Sequence, residues 1–489
     1  MSAQPPYDAP ADRPSRSRSG LVIGAIATAV AVTAGVGAYA AMQLRGGGRQ
    51  PETVAPATAF AFAKVDLDPS ARQKLVVREL MRKFPDAPQG ELDEVFDEFL
   101  RTALQGDDDV DFDRDVDPWL GDRIGVAGFT GPSGRPSVLG IIRSKDDGAA
   151  VPALQRLAAA DDSAAAYLLR DGYVLVGPDQ ASLDFAVAGI ADGTLADHDE
   201  YADDVAALDG DQIVTAWADL TKAYEAAAED LGADPEDVPE ILADRLTGRF
   251  ALGVHAERDY IEMEGVTTGV DTGSLTGSPA TLLADLPGST VAAVSAVDVG
   301  RQLEESLDAF GAFPGLPTRA DLTASVQESF GLDLSADLLP LLGDQTVLSL
   351  GDVPDFESDE APDVALLSLV ADPARAGKVA SKIQDLATQQ GAPLRARVVG
   401  NTFLVATGDS YLDALSAGGS RLAERPRFRR AVGDLDDEVA FVAYADLREL
   451  LTLAKDSDRY DDLRAIAAVG VRAGVRDGRG YLRVRVVVE

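Results

Sequence analysis

The sequence predicts an α+β protein, with an N-terminal transmembrane helix followed by two tandem-duplicated α+β domains whose largely antiparallel sheets are covered by helices. Three observations lead there. Residues 21–42, LVIGAIATAVAVTAGVGAYAAM, carry no charge, and about 20 such residues span a bilayer core. Blocks of the first half of the chain return, diverged but in order, about 221 to 232 residues later. The strand-like runs come as adjacent pairs with helical stretches between them, the mark of antiparallel sheets in an α+β arrangement.

At the N-terminus, Arg13, Arg16 and Arg18 sit in a short Pro- and Ser-rich tail, and Arg45 and Arg49 follow the apolar run around three glycines. Cations on a short leading tail keep that tail in the cytoplasm. The expectation is therefore a cytoplasmic tail (1–20), a single-pass anchor in the cell membrane (21–42), a Gly-rich linker (43–52) and an extracytoplasmic remainder. Ala38-Tyr39-Ala40 resembles a signal-peptidase site, but the run is longer than the usual signal core, which favours an uncleaved anchor.

The duplication sets the domains at 53–270 and 284–489, with a Thr-, Gly- and Ser-rich linker at 271–283. Asp111-Phe-Asp-Arg-Asp-Val-Asp-Pro-Trp-Leu-Gly-Asp122 matches Asp333-Leu-Ser-Ala-Asp-Leu-Leu-Pro-Leu-Leu-Gly-Asp344. Leu195–Leu220 aligns with Leu422–Leu447, including Tyr201 with Phe428 and Asp219 with Asp446. Gly253-Val254 and Tyr260 align with Gly474-Val475 and Tyr481.

Each copy opens on a strand (57–65; 290–297) that runs into a helix. After the D…P-x-L-G-D element, where Gly121-Asp122 and Gly343-Asp344 suit a turn, come strands 124–129 and 137–142 and a helix over 149–158. A hairpin follows (167–170, 173–176) with Asp171-Gly172 at its tip, a pair suited to left-handed backbone; the second copy has Gly400-Asn401 there. Strand 212–218, helix 220–231 and the closing pair 250–257 and 260–267 complete the copy. Asp66, Asp219, Asp298 and Asp446 each end a strand ahead of a helix, where a carboxylate caps free N–H groups; in the first of these, Asp68 and Pro69 suit the cap and first helical positions.

Composition excludes much chemistry. The 489 residues include no cysteine and two histidines, His198 and His255, with 44 basic and 82 acidic side chains and a net charge of −38. Disulfides, thiol nucleophiles and Cys-based metal sites are ruled out, and nucleic acid is a poor partner for such acidity. Residues 1–50 carry +3 and the remainder −41. No Walker A, G-x-G-x-x-G, G-x-S-x-G, S-x-x-K or H-E-x-x-H pattern occurs, so no catalytic residue is assigned.

Two candidate sites remain. Asp107, Asp109, Asp111, Asp113 and Asp115 form an oxygen-rich run of the kind that suits Ca2+, although Phe112 or Arg114 falls where an EF-hand needs glycine and no Glu closes the loop; no other cofactor is implied. Arg425, Arg427, Arg429 and Arg430 form a basic patch facing an anion or partner, and its first-copy counterpart, Asp197–Asp204, is acidic. His198 lies among carboxylates and His255 in a strand. Trp119 and Trp217 become Leu341 and Tyr444 in the second copy, an exchange that suits packing better than sugar stacking.

Pro56-Ala-Thr-Ala-Phe-Ala-Phe-Ala-Lys-Val-Asp-Leu-Asp-Pro69, Lys83-Phe84-Pro85 and Asp115–Asp122 resemble a bacterial, mainly actinobacterial, domain-of-unknown-function family, number 3352, whose members look like single-pass membrane-anchored proteins. The resemblance implies location and architecture and brings no activity, cofactor or catalytic residue. The expected function is a non-enzymatic cell-envelope binding or scaffold protein, held to the lipid bilayer through residues 21–42 and partnered by an envelope protein or polymer. The alternatives are an envelope enzyme acting on glycan through carboxylates and a cation-binding module.

Overall fold

A computed structural model of the chain describes residues 49–66, 70–84, 111–160, 165–231, 247–270, 272, 280–311, 318–353, 362–417, 419–435, 439–454 and 463–489. These fall into two compact units. The first lies within Gly48–Val65 and Glu91–His198, the second within Asp66–Gly90 and Asp199–Glu489.

The strands in chain order are β1 (Ala61–Asp66), β2 (Leu120–Thr130), β3 (Pro136–Ser144), β4 (Ala166–Arg170), β5 (Tyr173–Gly177), β6 (Val214–Asp219), β7 (Arg249–Glu257) and β8 (Tyr260–Thr268) in the first copy. The second copy has β9 (Ala292–Val297), β10 (Gln345–Leu350), β11 (Val364–Leu369), β12 (Leu394–Val399), β13 (Thr402–Thr407), β14 (Val439–Ala445), β15 (Ile466–Arg476) and β16 (Arg479–Val488). In the first unit the order is β1-β2-β3-β5-β4. In the second it is β12-β13-β11-β10-β9-β14-β15-β16-β8-β7-β6.

The predicted architecture needs correcting in two respects. Among the described residues no helix is long and apolar enough to cross a membrane, so the described fold contains no transmembrane helix; residues 1–20 and 21–42 lie outside the described residues. The copies also do not close into separate sheets. One large antiparallel sheet in the second unit takes strands from both, because β16, the last strand of the second copy, pairs with β8, the last of the first. Left alone, each would expose a row of unpaired N–H and C=O groups. Their antiparallel pairing, from Gly480 opposite Thr267 to Val487 opposite Tyr260, satisfies both.

Local chemistry explains most of the elements. Asp171 and Gly172 both take positive φ (55° and 77°), the two-residue turn whose twist matches its strands. In the second copy only Gly400 is left-handed, at 61°, so Asn401 does not share that demand and the hairpin turns by the variant with glycine first. Gly121-Asp122 is not a turn: it lies within β2, where the pairing with β3 is irregular between Leu120 and Ile124. Gly343 does turn, with φ +46°. Ser70 caps helix Ala71–Met81, accepting from Gln73 N at 3.5 Å; Asp68 and Pro69 lie outside the described residues.

Of the four strand-end aspartates, Asp219 accepts from Lys222 N (3.0 Å) and Asp446 from Glu449 N (3.3 Å). Asp298 instead holds Arg301 at 3.2 Å, and Asp66 is buried at the end of β1.

In the second unit, Phe428, Ala431 and Val432 of helix Pro426–Val432 pack on Val442, Tyr444 and Tyr481 of the sheet. Phe428 meets Tyr444 edge-on at 5.1 Å, and the equivalent Tyr201 meets Trp217 at 5.6 Å; such aromatic pairs add about 0.5–1.5 kcal/mol beyond burial.

Candidate functional site

The β8–β16 seam has a local two-fold symmetry. Tyr260 lies opposite Val487, and Val266 opposite Tyr481. Since residue 260 corresponds to 481 and 266 to 487, each pair is the image of the other, and the dyad passes through Met263 opposite Val484. Alternation places residues 262 and 264 of β8 and 483 and 485 of β16 on one face, with Met263 and Val484 on the other. Glu264 is opposite Arg483 and Glu262 opposite Arg485. Equivalent positions thus carry glutamates in one copy and arginines in the other, and a symmetric register brings them together.

All four charges are largely withdrawn from water. Arg483 Nη2 binds Glu264 and also Asp209 Oδ2 at 2.6 Å, Arg483 Nε lies 3.2 Å from Glu262 Oε1, and Arg485 Nε binds Glu262. Asp209 N donates to the second Glu264 oxygen at 2.7 Å. Burial alone would lower the Arg483 pKa; the Glu264 hydrogen bond and the Glu262 and Glu264 charges outweigh it and raise the value. His255 Nε2 approaches Glu262 Oε1 at 3.9 Å. Arg485 stacks on the Tyr260 ring at 4.6 Å, and Arg472 and Arg476 lie over Tyr481 at 5.7 and 5.1 Å.

Beside the seam opens a cavity of about 450 Å³ lined by Arg429, Gly433, Asp434, Arg472, Arg476, Arg483 and Arg485. Arg472 and Arg483 are only 5% and 8% exposed, and they face each other directly across β15 and β16. Like charges so placed repel; Glu264, Glu262 and Asp209 offset that cost on the Arg483 side, and an anion between the two arginines would offset it further. Arg472 Nη1 donates to the Asp434 carbonyl. Gly433 closes helix Pro426–Val432 with φ +77°, a backbone conformation that favours glycine, and a Cβ there would lie 2.9 Å from Arg485 Nη1. The first copy has Ala202, Ala251, His255, Glu262 and Glu264 where the second has the five arginines. The arginine set is therefore a feature of one copy.

The arginine patch read from the sequence divides. Arg425 and Arg427 hold the buried Asp446 at 3.3 Å each, Arg427 and Arg430 hold Glu489, and Arg448 joins them at 3.4 Å. Burial would raise the Glu489 pKa, but the Arg427 charge and hydrogen bond, with Arg430 and Arg448, prevail and lower it. Of the patch, Arg429 is the member that faces the cavity.

In the acidic run, Asp107 and Asp109 lie outside the described residues. Asp111 accepts from Arg114 N at 3.2 Å, and Asp113 is exposed. Asp115, 1% exposed, is held by Arg114 and by Arg156 Nε at 2.9 Å. The second copy repeats the device: Asp333 accepts from Ala336 N at 2.7 Å, and Asp337 takes Arg375 at 3.3 Å. Among the described residues no group of three or more His, Asp or Glu side chains is placed to hold a metal ion.

The Arg114 hydrogen bond holds the Asp115 carboxyl down to about 2, against an opposing burial effect. A depressed carboxyl contributes stability that is complete above its ordinary value near 4 and is lost as pH falls toward 2. We expect about 1–2 kcal/mol lost over that window, discounted because both arginines are half-exposed. Acid melts of Asp115→Asn should show that part of the loss removed.

Both tryptophans are in the interior. Trp119 Nε1 donates to Asp115 O at 2.7 Å, and Trp217 Nε1 to Asp204 Oδ2 at 3.1 Å. Asp204 also accepts from Arg249 Nε (2.7 Å) and Thr268 Oγ1 (2.8 Å). Burial opposes ionisation of Asp204, yet these bonds keep its pKa below the usual range. His198 is half-buried behind a short helical turn.

A family model described as a protein of unknown function (DUF3352) matches residues 21–167 and 158–400. No curated protein and no solved structure matches the chain.

Proposed function

The chain belongs to the DUF3352 family of proteins of unknown function, a membership that brings no activity with it, and we propose that it is a non-enzymatic binding protein of the cell envelope whose ligand is an anion held in the arginine cavity. The observation that carries this reading is the convergence of Arg429, Arg472, Arg476, Arg483 and Arg485 on one cavity. Two of these guanidiniums are more than nine-tenths buried. Guanidinium forks match carboxylate and phosphoryl oxygens geometrically, and a partly dry cleft strengthens the attraction.

The envelope setting, and an envelope protein or polymer as the bearer of the anion, belong to the same proposal and rest on the sequence of residues 1–49.

Thermal melts of the full chain test it. Replacing chloride by phosphate at fixed ionic strength should raise the melting temperature in a saturable way, and Arg472→Gln, at the buried end of the cavity, should blunt the rise. A phosphate response no greater than that of chloride would sink the reading.

A further inference from the structure

We propose that the arginine cavity takes two phosphoryl-type groups of one small, wholly polar ligand, a diphosphate or a bis-phosphorylated polyol; this rests on the anion reading above and narrows it. The arginines form two tiers. Arg472 and Arg483 lie at the floor, buried and face to face across the two strands. Arg429, exposed on its helix, and Arg476, half-buried, stand at the mouth. Arg472 and Arg476 are four residues apart on β15, yet their guanidiniums lie over the same Tyr481 ring at 5.7 and 5.1 Å, so floor and mouth are within reach of one small ligand. Two linked anionic groups can engage both tiers together.

The volume agrees. About 450 Å³ lies inside the range of small-molecule sites, roughly 300–1,000 Å³, and exceeds what one oxyanion fills. The walls say what the rest of the ligand is. The ring of Tyr481 is covered by Arg472 and Arg476, and the lining residues are arginines, one aspartate and one glycine. Such walls give no purchase to an acyl chain, which requires free aromatic or aliphatic surface. Glu262 and Glu264 hold Arg485 and Arg483 from the neighbouring strand β8, so these two guanidiniums are oriented before a ligand arrives, which lowers the ordering cost of binding.

Calorimetric titration of the full chain at fixed ionic strength, with inorganic phosphate, inorganic diphosphate and fructose 1,6-bisphosphate as probes, tests this. At least one of the two bis-phosphoryl probes should bind about tenfold or more tighter than monophosphate, a difference of about 1.4 kcal/mol. The tighter of the two identifies whether the phosphoryl groups are joined directly or through a polyol. The Arg429→Gln, Arg476→Gln double variant should bring that affinity down to the monophosphate level and leave monophosphate within about twofold. Arg448→Gln, beside Glu489, should change neither. Equal affinities for one and two phosphoryl groups would overturn the two-tier reading and leave the anion reading standing. No saturable heat with any of the three would overturn both.

Discussion

Reversing Glu262 and Glu264 to arginine should unfold the second unit, or at least cost it about 5 kcal/mol. Breaking one buried ion pair costs about 3–5 kcal/mol because the surviving charge is left uncompensated. This change breaks two and sets four arginines across the seam, at positions where Arg483 opposes residue 264 and Arg485 opposes residue 262. The compensating exchange carries the argument. Adding Arg483→Glu and Arg485→Glu restores opposite charges in the same register, and the quadruple variant should recover most of the lost melting temperature. Urea or thermal melts followed by circular dichroism read this out. A quadruple variant no more stable than the double would mean that burial and shape hold the seam and the charges do not.

Gly343→Ala should cost more than about 3 kcal/mol. Gly343 sits at φ +46°, where an L side chain is strained by about 1–2 kcal/mol, and a Cβ there would press on the Leu369 carbonyl oxygen well inside van der Waals contact. The chain cannot move aside easily, because Asp344 N donates to that same carbonyl at 3.0 Å. Gly121, its first-copy equivalent, offers a contrast. Its φ is not left-handed, and the nearest obstacle to a Cβ is the Arg143 carbonyl at 2.7 Å, so Gly121→Ala should be the milder variant. Denaturant midpoints of the two, compared with the natural chain, check the order.

These two sites show what the sequence made legible. The repeat was readable because its blocks keep order and spacing, and the L-G-D motif marked a tight position in both copies. The local geometry was not readable, since the same motif lies within a strand in one copy and ends a short helix ahead of a strand in the other. The seam was hidden for a different reason. Glu262-Met263-Glu264 and Arg483-Val484-Arg485 stand in plain alignment, and their opposite charge was a usable signal. Nothing local says that the last strands of two copies become neighbours, because that pairing satisfies sheet edges far apart in the chain.

The candidate site was half legible. Arg425, Arg427, Arg429 and Arg430 crowd into one short basic segment, and their sequence reads as a single patch. The carboxylates that claim three of them, Asp446 and Glu489, lie on other elements. Arg472, Arg483 and Arg485 sit in strands whose alternation marks them as facing one side without saying what that side meets. Asp115 shows the same limit: the sequence sets it in a run of aspartates, and Arg156, which holds its carboxylate, lies 41 residues on.

The central claim is that the second-copy arginines form an anion site. Its most direct test is the anomalous difference map of a crystal of this protein soaked in selenate at low sulfate. The account predicts a selenium peak between Arg472 and Arg483, within hydrogen-bond distance of a guanidinium of each. A well-ordered cavity without such a peak, in a crystal that takes up selenate elsewhere, would contradict it.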